Sequence, residues 1–368
     1  MKEWTRAKSV FWGDDMIQGR LDRRQFVRLG ATAAASMAFG LAACSSAQES
    51  AGSTSTAAEN ASSETSASSL TDSASASSSA FSSSVTQASS SQSVAAYAVE
   101  DKLLASGFTM PALGLGTWTL SVDEAEASTY CALENGYRLV DTAQYYGNEE
   151  GVGSAVRRAV ADGLCAREDV FVTSKIMPSS FDRAAESIDE SLARLDLGYI
   201  DLMLIHQPGS NDEAVWRALE DAVRAGKLRS IGISNYYTPE HYDAIASIAE
   251  IPVVLVQNEN HPYYQNNDLQ VHVESTGSFV ESWYPLGGRP GVAQLLANET
   301  LNSIAAVHGK TAAQAILRWH VQAGYIAIPG SSNPSHIAEN IQIFDFALSD
   351  DEMAQVAALN GVGRFENW

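Results

Sequence analysis

In the stretch DTAQYYGNEE, Asp141 to Glu150, an aspartate and two adjacent tyrosines stand where a β-branched run, YRLV, stops and a helical run, GVGSAVRRAVADG, begins. The pattern recurs. Where the short apolar runs of this chain end there stand Trp118, Asp141, Tyr146, Lys175 and His206, then Ser234, Asn235, Gln257 and Trp283. Several of these can hold, give or take a proton. Loops are polar in any protein, so polarity at the end of a run says little by itself. Lys175 and His206 say more, because VFVTSKIMP and LMLIHQP embed them in apolar sequence. A lysine in such surroundings needs a buried anion beside it or it loses its proton. Which tyrosine matters is open at this point, because alternation stops with the run near Ala143.

The elements that must position these groups follow from the hydrophobic pattern. Eight runs, LGLGTW, YRLVDTA, VFVTSKI, IDLMLIHQP, SIGISNY, VLVQNEN, FVESWYPLG and YIAIPGSS, read as strands. Amphipathic stretches between them read as helices: AESIDESLARLDLG with Ile188, Leu192 and Leu195 on one stripe, AVWRALEDAVRAGK, and TAAQAILRWHVQAG. Ser121 with Glu124 and Ser349 with Glu352 are capping boxes, and Thr238-Pro239 and Asn333-Pro334 set an N-cap before a proline. Strands apolar on both faces suit a parallel sheet covered by helices. Eight strand–helix units in about 250 residues predict an α/β fold, a (β/α)8 TIM barrel, with working residues at the C-terminal strand ends. An open doubly wound sheet is the alternative, but no early G-x-G-x-x-G stands at a strand-to-helix turn. KLLASGFTMPALGLG reads as a hairpin with Gly107 in its turn, closing the bottom of the barrel.

The barrel is expected over residues 96–368. Residues 44–95 are mostly Ser, Ala and Thr, a composition that buries too little apolar surface to offset chain entropy and predicts a disordered tether. Residues 1–43 contain Arg23-Arg24-Gln25-Phe26-Val27 and a modest apolar run ending Leu41-Ala42-Ala43-Cys44. The first resembles a twin-arginine export signal and the second a bacterial lipobox, which implies cleavage, lipidation of Cys44 and anchoring on the extracytoplasmic membrane face. The leader holds seven Lys/Arg and four Asp/Glu, so its removal takes the net charge from −21 to −24. So acidic a body argues against nucleic acid as a partner. With Cys44 lipidated, Cys131 and Cys165 remain; they are expected as buried thiols, a bridge between them being the lesser alternative.

DTAQYYGNEEGVG, VFVTSKI, YIDLMLIHQP, GISNY, VQNENHPYYQ, WYPLGG and IPGSSNPSHIAENI, in that order and spacing, resemble the aldo-keto reductases from about residue 103 to about 360. The resemblance implies a tetrad of Asp141, Tyr146, Lys175 and His206 that reduces a small carbonyl by hydride transfer from NAD(P)H. In it Tyr146 is the general acid, Lys175 lowers the phenol's pKa, Asp141 balances the lysine, and His206 orients the substrate oxygen. No metal is required. The resemblance further assigns Ser234, Asn235 and Gln257 to the nicotinamide carboxamide, and Trp283 to stacking on its ring. Pro285, Leu286 and Gly287 would approach the pyrophosphate. Ser331, Ser332 and Asn333 would offer an anion site at a helix start, with Glu339 and Asn340 at the adenine. NADP(H) is the implied cofactor. NAD(H) is an alternative, because Gly330 and His336 stand where many NADPH-preferring members carry Lys and Arg. Trp118, His206 and Gln207 are the expected substrate wall, one side apolar and one polar, which suits a keto-sugar acid or an α-dicarbonyl. A non-catalytic cofactor-binding redox sensor or accessory subunit is the alternative function, and a monomer is the default assembly.

Overall fold

The computed structural model describes residues 100–366; the export signal, Cys44 and the tether lie outside the described residues. The described chain begins with an antiparallel hairpin, β1 (Asp101–Leu103) and β2 (Thr109–Pro111), turning through Gly107 as expected. Strand–helix pairs follow: β3 (Leu115–Gly116) and α1 (Val122–Glu134), β4 (Leu139–Asp141) and α2 (Glu149–Ala161), β5 (Phe171–Ile176) and α3 (Ala184–Leu195). Then come β6 (Ile200–Ile205) and α4 (Asp212–Arg224), β7 (Leu228–Ser234) and α5 (Pro239–Ala246), β8 (Leu255–Glu259) and α6 (Asn267–Ser275). Strand β9 (Phe279–Trp283) leads into α7 (Gly288–Leu296), α8 (Glu299–Val307) and α9 (Ala312–Gln322). Last are β10 (Ile326–Ala327), α10 (Pro334–Asn340) and α11 (Asp350–Ala357).

Strands β3 to β10 form one parallel sheet in sequence order. Its edges meet through bridges from Leu113 to Ala327 and from Gly116 to Gly330, so the sheet closes into the expected (β/α)8 barrel. Both faces are dry: every residue of β5 and of β6 is buried. Successive side chains point to opposite faces, and two hydrophobic clusters separate along that alternation. Val140, Val172, Met203, Ile231 and Val256 pack outward against the helices. Leu139, Phe171, Leu202, Leu204 and Leu255 fill the interior, where Leu104 and Met110 of the hairpin segment join them. Burying each such side chain stabilises the fold by about 1.5–3 kcal/mol. The hairpin thus plugs the end where the strands begin.

Parity decides what rises above that plug. Counting by twos from Leu139, Phe171, Leu255 and Phe279 brings Asp141, Lys175, Gln257, Glu281 and Trp283 to the inner face. Around the barrel, the capping boxes at Ser121 and Ser349 are formed, as are the caps at Thr238 and Asn333. A third box, Thr311 with Gln314, starts α9. Cys131 and Cys165 are free thiols, half-buried rather than buried.

Candidate active site

Lys175 is wholly buried, and its ammonium has three acceptors: Asp141 Oδ1 at 2.5 Å, the Thr142 carbonyl at 3.0 Å and the Tyr146 hydroxyl at 3.1 Å. Asp141 Oδ2 accepts from Gln257 Nε2 at 2.8 Å. Burial works against the lysine charge, but Asp141 and Tyr146 outweigh it and hold the ammonium above the usual lysine value. Burial likewise pushes the Asp141 carboxyl up, with Lys175 and Gln257 opposing.

Tyr146 departs from expectation. Lys175 does pull its phenol down, but burial is the larger effect, and Asp141 and Glu281 add to it, so the group is pushed up to about 12. It is a firmly protonated phenol at neutral pH. His206 is pushed down to about 3 by burial and then by the Lys175 charge, so its imidazole is neutral. Its Nδ1 is buried with no partner among the described residues. A buried N–H without an acceptor is costlier than a bare lone pair, which leaves the ring proton on Nε2.

These groups line a cavity of about 840 Å³ at the C-terminal strand ends. Trp118, Asp141, Tyr146, His206, Ser234, Asn235, Gln257 and Trp283 border it, while Lys175 lies beneath. Pro285 and Leu286 continue the wall towards Ser331, Ser332, Glu339 and Asn340 at the far end, where Gly330 and His336 also stand.

Three expected residues do not reach the wall. Gln207 is half-buried off the cavity; the apolar side is instead doubled by Tyr145, which is 52% exposed and stacks on Trp118 with ring centroids 5.6 Å apart and planes 21° from parallel. Gly287 serves the turn, at φ +80° and packed on Gly291. Asn333 caps its own helix through Ser335 N–H, and its own N–H goes to Ser331 Oγ, so its side-chain oxygen and its backbone donor are engaged within the chain.

Asn235 is similarly saturated. Its Nδ2 donates to the His206 carbonyl and Ser234 Oγ, and its Oδ1 accepts from Trp283 Nε1 and the Tyr237 hydroxyl. It is a clamp on the wall rather than a spare ligand group. Asn235, Thr119 and Tyr284 all border the cavity with positive φ, at 67°, 69° and 54°, conformations that store strain where a site is shaped. Tyr284, Arg289 and Glu281 were missed in the sequence. Arg289 reaches across the mouth to Thr119 Oγ1 at 3.4 Å. Glu281 had a signal, since the alternation Phe279–Glu281–Trp283 turns it inward. At the end of the described chain, the Glu259 carboxylate accepts from the Phe365 and Glu366 backbone N–H groups at 2.5 and 3.2 Å.

A lysine–aspartate pair under a cavity-facing tyrosine, at the strand ends of such a barrel, meets the family model "Aldo/keto reductase family" over residues 112–361. The chain belongs to the aldo/keto reductase family. This aldo/keto reductase is similar to morphine 6-dehydrogenase of Pseudomonas putida, 40% identical over 271 residues that cover 70% of this chain and 90% of that protein. It is also similar to glyoxal reductase of Bacillus subtilis, 41% identical over 261 residues covering 70% and 91%. Among solved structures, an aldo/keto reductase from Brucella melitensis matches with a TM-score of 0.66 and 38% identity, over 71% of this chain and 99% of that one. A Bombyx mori aldo-keto reductase in complex with NADP matches with a TM-score of 0.68 and 33% identity, over 73% and 95%. The protein is an NAD(P)H-dependent oxidoreductase acting on carbonyls, with NADP(H) the family's cofactor.

Proposed function

We propose that this reductase acts on small planar carbonyl compounds, α-dicarbonyls and aromatic aldehydes, with Tyr146 handing its proton to the carbonyl oxygen. The observation that carries the proton assignment is the count of hydrogen bonds at Lys175. An ammonium has three N–H groups, and Asp141, Thr142 and Tyr146 take one each. The tyrosine oxygen is therefore an acceptor towards the lysine, and its own proton is directed elsewhere, to the cavity. As negative charge builds on the substrate oxygen, that oxygen becomes far more basic than a phenolate. A phenol held near 12 still gives it a proton. The phenolate left behind lies 3.1 Å from the ammonium that stabilises it. Neutral His206 offers its Nε2–H to the same oxygen and orients the carbonyl.

The nicotinamide cofactor supplies the hydride when bound. Its carboxamide needs one donor and one acceptor, and this chain has that pair to spare. The Ser234 hydroxyl accepts from Asn235 and keeps its own proton to give. Gln257 spends both amide hydrogens on Asp141 and Glu281 and keeps its carbonyl oxygen. Trp283 offers an aromatic face to the ring, and Arg289 is a cation for the phosphates.

The planar preference rests on Trp118 and Tyr145, two stacked rings beside Tyr146, and on Gln207 lying off the cavity. Quenching of NADPH and NADH fluorescence, then turnover on methylglyoxal, an aromatic aldehyde and a keto-sugar acid, tests the whole reading. The expected result is quenching and a kcat/KM at least about tenfold higher for the planar compounds, a difference of about 1.4 kcal/mol. Faster turnover of the keto-sugar acid would sink the planar reading, and absence of quenching by either cofactor would sink the nicotinamide site.

We also infer that the enzyme is exported and held on the extracytoplasmic membrane face by lipid on Cys44. The support is the ordered set of Arg23-Arg24, a short apolar run and Leu41-Ala42-Ala43-Cys44, followed by a serine-rich tether.

A further inference from the structure

Beneath the tetrad sits a second carboxyl group that the reaction as described leaves unused. Glu281, on β9, is wholly buried. Its Oε2 accepts from Gln257 Nε2 at 2.7 Å, and the other hydrogen of that amide goes to Asp141 Oδ2 at 2.8 Å. One amide nitrogen therefore bridges two carboxyl groups. Glu281 Oε1 is buried and has no partner among the described residues.

The charges around it can be counted. Asp141 faces Glu281 from β4 and Lys175 from β5, with Tyr146 beyond them. On the flanking strands Gln257 of β8 lies opposite Glu281 on one side and Ile326 of β10 on the other, neither of them charged. His206 is neutral. One ammonium thus serves two buried carboxyl groups, and that ammonium already gives a hydrogen bond to Asp141. An ionised Glu281 would be an unpaired anion in a dry interior next to a like charge, which is among the costliest arrangements a protein can hold. With Glu281 protonated the cluster of Asp141, Lys175 and Glu281 sums to zero.

Resting on the reductase reading, we propose that Glu281 is a positioning residue for the reaction: it is kept as a neutral carboxylic acid that, with Asp141, fixes Gln257, and loss of its proton is what closes the alkaline side of turnover. Burial, then the Asp141 charge, pushes the Glu281 carboxyl up to about 8, in keeping with this. The direction of the effect follows from the charge. Below that value the acid is neutral and the site is as described. As pH rises through it, a new anion beside Asp141 makes the Tyr146 phenol harder to ionise and so a weaker proton donor, and carbonyl reduction slows.

Infrared difference spectroscopy of the free enzyme between acid and alkaline pH, together with kcat for carbonyl reduction from pH 6 to 9, tests this in wild type and Glu281→Gln. The glutamine is a neutral isostere of the acid. Expected in wild type is a protonated-carboxyl C=O stretch that bleaches between about pH 7 and 9, with kcat falling about tenfold over that span, the size of a nearby like-charge effect. Glu281→Gln should lack the band and hold at pH 9 the kcat it shows at pH 6. A wild-type spectrum without the band, a band that survives in Glu281→Gln, or an unchanged alkaline limb in the variant each overturns the proposal. The infrared result needs neither cofactor nor turnover. An enzyme that reduced nothing would overturn the reductase reading and still leave the proton on Glu281 decided.

Discussion

Tyr145 and Tyr146 are neighbours in the chain and strangers in the site. The hydroxyl of Tyr146 lies 3.1 Å from Lys175, whereas Tyr145 is half-exposed and spends its ring on Trp118. The expected outcome of substitution is correspondingly lopsided. Tyr146→Phe removes the proton donor and should cut kcat by about 10² to 10⁴, with cofactor affinity by fluorescence titration close to wild type. Tyr145→Phe keeps the stacked ring and should leave both kcat and affinity nearly unchanged; the reverse ranking would put the register wrong by one residue. Family spacing from Asp141 selected Tyr146 in the sequence, because alternation ends with the strand. The upward push on its phenol was not legible, since it comes from burial that only the closed barrel creates. Asn235 and Asn333 show a related point: residue type tells what an amide can bond, and only the fold tells what it has already bonded.

At the scale of elements, the strands were legible as runs apolar on both faces, as in VFVTSKI and IDLMLI, whereas which of their residues point inward is read from the observed clusters. Helix contacts are less visible. Gly153 lies in the middle of α2, where its lack of a side chain costs about 1 kcal/mol relative to alanine in helix propensity. The structure gives the reason for it: an added Cβ would strike the backbone oxygen of Leu195 at the end of α3, as one on Gly151 would strike Val122 O in α1. The two glycines let α2 lie against the backbones of both neighbours. Gly153→Ala should therefore lower the unfolding free energy by about 1–3 kcal/mol through overpacking, read as a lower urea midpoint, despite its better propensity. Because α2 starts just after the Tyr146 turn, kcat should fall with it. A variant more stable than wild type would show that the close approach is not a constraint. Gln207 failed at this scale, because nothing in LMLIHQP says which way the chain turns once β6 has ended.

For the whole molecule, the acidic body and the N-terminal signals bear on where the enzyme works. If Cys44 carries the anchor, Cys44→Ala should abolish labelling by radioactive palmitate and move the protein from the membrane pellet to the soluble fraction, with kcat/KM unchanged. A pellet that keeps the variant would refute anchoring at that residue. The barrel itself is indifferent to the outcome, and the hairpin explains why. The described chain enters at the plugged end, through Leu104 and Met110, while the cavity opens at the C-terminal strand ends. The described barrel therefore has its chain entry and its doorway at opposite ends. A graft at the first described residues is expected to leave traffic through the doorway alone, whereas one at Phe365 or Glu366 would stand on the threshold.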